Sequence, residues 1–301
     1  MPYNLITILG PTATGKTRLA AMLAHAFNGE IISADSRQVY KEMDIGTGKD
    51  LKDYSIEGKI IPHYLINVIN PTEEFDLYKF NQLFYQFFDK IKRNKKIPFL
   101  VGGTGLYISS ILKGYKLTKA DLTAKNLRYF EEYSTTELKT ILRELSSNLH
   151  NTTDLINRER IIKAIIVAMA SSEDSSQQSN INSLVIGIKL PRSEIKNRIT
   201  ARLKSRLESG MITEVESLLK KNITYEKLNF FGLEYKFIGL YLKNELNYND
   251  MFQKLNSAIH NFAKRQMTWF RKMEKEGIKI NWIEGPDYNA AFKIIKDNFI
   301  E

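Results

Sequence analysis

One eight-residue stretch constrains this chain more than any other: Gly10-Pro11-Thr12-Ala13-Thr14-Gly15-Lys16-Thr17. It follows the apolar run Leu5 to Leu9 and leads into Arg18-Leu19-Ala20-Ala21-Met22-Leu23-Ala24, which reads as a helix. Strand, glycine-rich loop and helix, in that order, are the setting in which the G-x-x-x-x-G-K-[ST] pattern binds phosphate. Gly10 and Gly15 let the backbone wrap tightly, so that successive N–H groups point at phosphate oxygens. The helix N-terminus adds a partial positive charge and Lys16 a full one. Thr17 offers a hydroxyl to a magnesium ion. The stretch predicts a parallel α/β sheet with a di- or triphosphate held at one rim, by residues 10 to 17.

The remaining segments fit that sheet. Glu30 to Ala34 reads as a buried strand that ends in Asp35-Ser36-Arg37-Gln38, and polar groups just past a strand's C-terminal end are where open parallel sheets bind ligands. Asp35 also suits the N-cap of a helix after it, with Gln38 closing a capping box. Lys59 to Val68 contains another strand. Leu77 to Arg93 is an amphipathic helix whose Phe80, Phe84, Phe87 and Phe88 recur at core spacing. Ile97 to Val101 is a parallel strand ending in Gly102-Gly103-Thr104-Gly105 instead of the acidic residue with which P-loop ATPases commonly hold magnesium. That difference argues for a use of bound phosphate other than hydrolysis of ATP.

Residues 115 to about 170 are charged and helical in pattern, and Ser171 to Ser183 is a polar low-complexity run. Leu184 to Leu190 returns to a buried strand. The expected organisation is therefore a core of residues 1–114 and 183–301, interrupted by a helical insertion domain at 115–182. Ser193 is expected to cap the next helix, with Ile195, Ile199, Leu203 and Leu207 on its apolar side and Arg198, Arg202 and Arg206 in a row beside them. A last helix over residues 258–272 mixes cations with Phe262, Trp269 and Phe270. The four histidines lack metal-ligand spacing.

Charge points to a polyanionic partner. The 301 residues carry a net charge of +10, which favours nucleic acid. There is no cysteine, hence neither a disulfide framework nor a thiolate metal site. No run approaches a membrane span, and the chain enters its first strand without a leader-like segment. A cytoplasmic protein that uses no membrane is the expectation.

Five blocks in order closely resemble the tRNA dimethylallyltransferases, which prenylate an adenine beside the anticodon. They are GPTATGKT at 10–17, DSRQVYKEMDIGTGK at 35–49, PFLVGGTGLYISSIL at 98–112, RLKSRLESGMITEV at 202–215 and AKRQMTWFR at 263–271. The resemblance implies a P-loop NTPase-like α/β fold with a helical insertion domain, acting on dimethylallyl diphosphate and the tRNA anticodon stem-loop with Mg2+; nothing in the sequence suggests an obligate dimer, and a monomer is the expectation. It implies Asp35 as general base and Thr104 as the other catalytic contact to the adenine. The diphosphate would lie on residues 10–17, with Arg202 and Arg198 completing the clamp. Ser36, Arg37 and Gln38 would hold the flipped base and its neighbours, and Arg128, Glu159, Arg160, Ile161, Ile162 and Lys163 of the insert would meet the tRNA.

The insert departs from the family pattern. Glu159 stands where the family carries a neutral Gln, and a D-P-x-x-A segment is missing around 149–155. An adenylate isopentenyltransferase acting on free nucleotide is the runner-up, disfavoured by the basic C-terminal helix and the retained insert. A nucleotide kinase lacks support from the residues after Ala34 and Gly102, and the intact P-loop with Asp35 and Thr104 argues against a non-catalytic RNA-binding paralogue.

Overall fold

A computed structural model describes residues 3–115, 117, 119, 129–145, 158–170 and 179–299. The chain divides into two compact units, Met1–Gly114 with Ser179–Glu301, and Tyr115–Gln178. The second boundary falls four residues before the expected one. Residues 179–182 belong to the core because Asn182 and Asn4 exchange backbone and side-chain hydrogen bonds at 2.8 and 2.9 Å, and the Ser179 hydroxyl donates to Asp89 at 2.9 Å.

The core unit is a six-stranded parallel sheet. Its strands are β1 (Leu5–Leu9), β2 (Gly29–Ala34), β5 (His63–Tyr64), β6 (Ile97–Gly102), β7 (Ser183–Lys189) and β8 (Ile280–Glu284), in the order β5-β2-β6-β1-β7-β8. A separate antiparallel pair joins β3 (Ser55–Ile56) to β4 (Lys59–Ile60). The strand expected within 59–68 is β5, kept apart from β4 by Pro62, which lacks an N–H for the ladder and pairs only through its carbonyl, accepting from Ile31 at 2.9 Å.

Strands β1, β2, β6 and β7 are buried on both faces, which explains their continuous apolar sequences. Alternate side chains feed two cores. Leu5, Leu9, Ile32 and Leu100 meet helices α2 (Leu77–Arg93), α3 (Gly105–Leu112), α6 (Arg192–Glu208) and α10 (Tyr248–Lys275) on one face. Ile6, Ile8, Ile31 and Phe99 meet α1 (Lys16–Ala26) and α11 (Tyr288–Phe299) on the other. Helix α2 starts where the Asp76 carboxylate accepts from Lys79 N–H at 2.7 Å, and it ends among Lys90, Lys92 and Arg93, which suit its negative terminus. Three shorter helices, α7 (Met211–Lys220), α8 (Tyr225–Phe231) and α9 (Leu233–Leu242), link α6 to α10. The helix over 192–208 is preceded by Pro191 and has no side-chain cap, so Ser193 lies inside the first turn, where a proline-led start displaces the expected cap.

The second unit has its own small core. Helices α4 (Thr135–Leu145) and α5 (Arg158–Met169) bury Leu138, Leu142, Ile161, Ile162, Ile165 and Ile166 around Phe130. Ser134 and Glu137 form a reciprocal capping box at 2.7 and 3.2 Å at the start of α4. Arg158 donates to the carbonyls of Phe130, Glu131 and Tyr133, closing the turn before α4 onto α5. Among the described residues no helix is long and apolar enough to cross a membrane.

Candidate active site

Register places the site. In the ladder, Ala34 pairs with Gly102 and Gly102 with Leu9, so three strands end at one level. Their C-terminal loops therefore lie side by side: residues 10–17 after β1, Asp35–Gln38 after β2 and Gly103–Thr104 after β6. The two loops after β2 and β6 are tied directly. Thr104 N–H donates to the Ala34 carbonyl at 3.2 Å, and the Thr104 hydroxyl accepts from Ser36 N–H, also at 3.2 Å.

The first loop is held in its wrapped form by local bonds. The Thr14 hydroxyl donates to the Pro11 carbonyl at 2.9 Å, Gly15 takes φ +83°, and Ala13 takes φ +66°, a left-handed conformation that a non-glycine residue rarely adopts. The Lys16 ammonium reaches the Pro11 carbonyl at 3.4 Å. Burial pulls its pKa down to about 8; Asp35 opposes the fall and Arg202 adds to it. Arg202, from α6, donates to the Thr12 hydroxyl, and burial with the adjacent Arg206 lowers it to about 10. Two cations held in a desolvated place form a cationic cradle, with Asp35 an acidic group that acts on both. Arg198 is not part of it. One helical turn earlier, it is half exposed and pairs with Glu194 at 2.7 Å.

Asp35 faces this cradle across the rim. No helix comes after it, so neither the cap nor the capping box forms. Its Oδ1 accepts from Arg37 N–H at 2.9 Å, which makes a local turn, and Oδ2 has no partner among the described residues. Gln38 is turned the other way, its amide donating to the Gly48 carbonyl at 3.1 Å.

Two residues without an expected role bind these parts together. Gln266 of α10 accepts from Thr12 N–H at 2.8 Å and donates to the Gly103 carbonyl at 2.9 Å, so one buried amide joins the first loop to the second. A Cβ at Gly103 would stand 2.4 Å from that amide, so the bridge needs glycine there. Glu214 of α7 accepts from the N–H groups of Asp44, Ile45 and Gly46 at 2.7, 2.7 and 2.9 Å and from the Tyr235 hydroxyl at 2.7 Å. It thereby fixes the segment whose Gly48 carbonyl holds Gln38. A local signal existed for both. Ala263, Gln266 and Phe270 lie on one helical stripe, as do Met211, Glu214, Val215 and Leu218, and a polar residue on a buried stripe requires a partner.

In the second unit the expected contact set divides by helical spacing. Ile161 and Ile162 are buried in that unit's core and act as packing residues, which corrects their assignment to tRNA. Glu159 and Arg160 are exposed, Lys163 is half-buried, and Lys163 pairs with Glu159 at 2.8 Å. Arg128 lies outside the described residues.

The fold and its rim define a P-loop protein in which the Asp35 carboxylate and the Thr104 hydroxyl stand at the same rim as the phosphate loop. A family model for IPP transferase matches residues 38–273, and one for isopentenyl transferase matches residues 3–64. tRNA dimethylallyltransferase 2 of Pelobacter propionicus is 47% identical over 301 residues, spanning 98% of this chain and 95% of the relative. tRNA dimethylallyltransferase 1 of Azobacteroides pseudotrichonymphae is 49% identical over 296 residues, spanning 97% and 96%. The solved tRNA isopentenylpyrophosphate transferase of Bacillus halodurans matches with a TM-score of 0.70 at 28% identity, covering 98% of this chain and 94% of that one. The tRNA Δ(2)-isopentenylpyrophosphate transferase of Staphylococcus epidermidis gives 0.69 at 30% identity, covering 99% and 98%. The chain belongs to the IPP transferase family, the tRNA dimethylallyltransferases.

Proposed function

We propose that this chain transfers a dimethylallyl group from dimethylallyl diphosphate to N6 of the adenine 3′-adjacent to the anticodon in tRNA. The observation that carries the reading is the shared level of three strand ends, which sets Asp35 and Thr104 beside the phosphate loop. In the reaction the N6 amine attacks the allylic carbon, a C–N bond forms, the C–O bond to diphosphate breaks, and a proton leaves the amine. The amine's lone pair is delocalised into the ring, so loss of that proton has to accompany attack. The unpartnered Oδ2 of Asp35 accepts it. Thr104, whose hydroxyl proton is left available by its bond to Ser36 N–H, donates to or positions the ring. Loop amides, Lys16 and Arg202 take up the charge that accumulates on the leaving diphosphate.

A magnesium ion fits this donor set. The Thr17 hydroxyl has no hydrogen-bond partner among the described residues, and a hard oxygen beside diphosphate oxygens suits magnesium. No cluster of three His, Asp or Glu competes for a metal among the described residues. When bound, the ion supplies Lewis-acid charge to the departing diphosphate. Every group named in the reaction comes from one chain, which is consistent with a monomer that acts on tRNA in the cytoplasm.

Purified protein is expected to move label from dimethylallyl diphosphate to tRNA carrying an adenine after the anticodon, and not to AMP. Labelled AMP with unlabelled tRNA would overturn the reading in favour of a free-nucleotide enzyme. Asp35→Asn is expected to lower kcat about 100- to 10,000-fold while tRNA affinity holds.

A further inference from the structure

A single exposed aromatic needs no explanation, since much of any protein surface is apolar. Phe230 differs in what surrounds it. It is 44% exposed at the end of α8, while the next residue, Phe231, is only 1% exposed and anchors the turn in the core. The Arg37 guanidinium lies 4.8 Å from the centre of the Phe230 ring, and the Lys227 ammonium lies 5.3 Å from it. Arg37 is itself tethered, its N–H bonded to the carboxylate of Asp35 at 2.9 Å. The ring is therefore joined to the proposed catalytic carboxylate through one arginine. Both sides of this contact belong to the core unit.

We propose that Phe230, together with the Arg37 guanidinium, forms a stacking platform for a nucleobase immediately flanking the target adenine. The inference rests on the proposed function. Extruding the target base leaves its neighbours without a stacking partner on one side, and an enzyme that performs chemistry on a base has to meet that cost. Aromatic rings and guanidinium planes are the surfaces on which proteins stack unpaired RNA bases. The two cations beside the ring also suit the phosphates that adjoin a stacked base. An allylic chain is a poorer occupant, because two cationic groups at about 5 Å offer it nothing that an uncharged wall would not. Stacking on an open ring is tolerant of sequence but favours purines, so this platform tunes preference among anticodon loops without touching the reacting atoms.

The test uses the full chain and an anticodon stem-loop RNA in three forms: intact, abasic at the 5′ neighbour of the target adenine, and abasic at the 3′ neighbour. With the intact RNA, Phe230→Ala is expected to raise KM for the stem-loop about 10- to 100-fold. KM for dimethylallyl diphosphate, kcat and the thermal midpoint should stay close to wild type. Phe230→Trp should restore KM for RNA. With one of the two abasic RNAs, the wild type should fall to the Phe230→Ala level and the substitution should add no further loss. The proposal is overturned if Phe230→Ala binds RNA like wild type, if Trp fails to restore KM, or if the two losses multiply for both abasic RNAs. Failure of the wild type to modify the intact stem-loop, with label passing to AMP instead, overturns the proposed function itself.

Discussion

Gln266 accepts from one loop and donates to another, so its two ends are separately testable. Gln266→Glu keeps an acceptor for Thr12 N–H, loses the donor to the Gly103 carbonyl and adds a negative charge beside the phosphate cradle. It is expected to cost about 1–3 kcal/mol of stability, read from the denaturation midpoint, and to raise KM for dimethylallyl diphosphate about tenfold. Lys16 gives a prediction in pH. Its pKa in the folded chain, about 8, lies below the ordinary 10.5, so between these values the unfolded chain holds a proton that the folded one has released. Its contribution to stability therefore increases as pH rises across that window. Phosphate binding runs the other way, because the cation disappears as pH passes about 8. KM for the diphosphate substrate should be flat below that point and climb above it; a flat profile to about pH 9.5 would remove Lys16 as a charged ligand. The loop residues were legible in sequence because their function follows from eight consecutive positions. Gln266 was legible only as a polar residue on a buried stripe, since its partner is 254 residues away and no local pattern names that partner.

Whole elements were legible where burial and length agree. Strands β1, β2, β6 and β7 and the helix over 77–93 were readable from continuous apolar runs and a 3.6-residue stripe. The exceptions have physical causes: Pro62 keeps β5 apart from β4, and Pro191 starts a helix without a side-chain cap. The arginine row on α6 was visible as a row, but not its division of labour. Arg198 pairs along its own helix, Arg202 meets the phosphate loop, and Arg206 reaches Asp50 at 3.6 Å. Helix α7 acts on the site through Glu214, which holds a segment that in turn holds Gln38. Glu214→Gln leaves one oxygen to accept and turns the other end into a donor facing N–H groups. It is expected to destabilise the protein by about 2–3 kcal/mol and to raise KM for tRNA more than KM for dimethylallyl diphosphate. An equal rise in both would mean that the segment supports the whole rim.

At the scale of the molecule, each unit encloses its own core, so they should be separable. Replacing residues 115–178 with a short Gly-Ser linker is expected to leave a cooperatively unfolding core that binds dimethylallyl diphosphate and has lost most transfer to tRNA. Retained tRNA turnover would mean that the core alone recognises the substrate. The core also has a consequence for how the protein comes into being. Strand β1 lies in mid-sheet between β6 and β7, both made later, and Pro286 packs so closely over Gly15 that a Cβ there would meet it at 3.2 Å. The residue against which the phosphate loop rests is translated roughly 270 positions after the loop itself. A nascent chain therefore carries the motif through the synthesis of all those positions before the loop gains the support of Pro286.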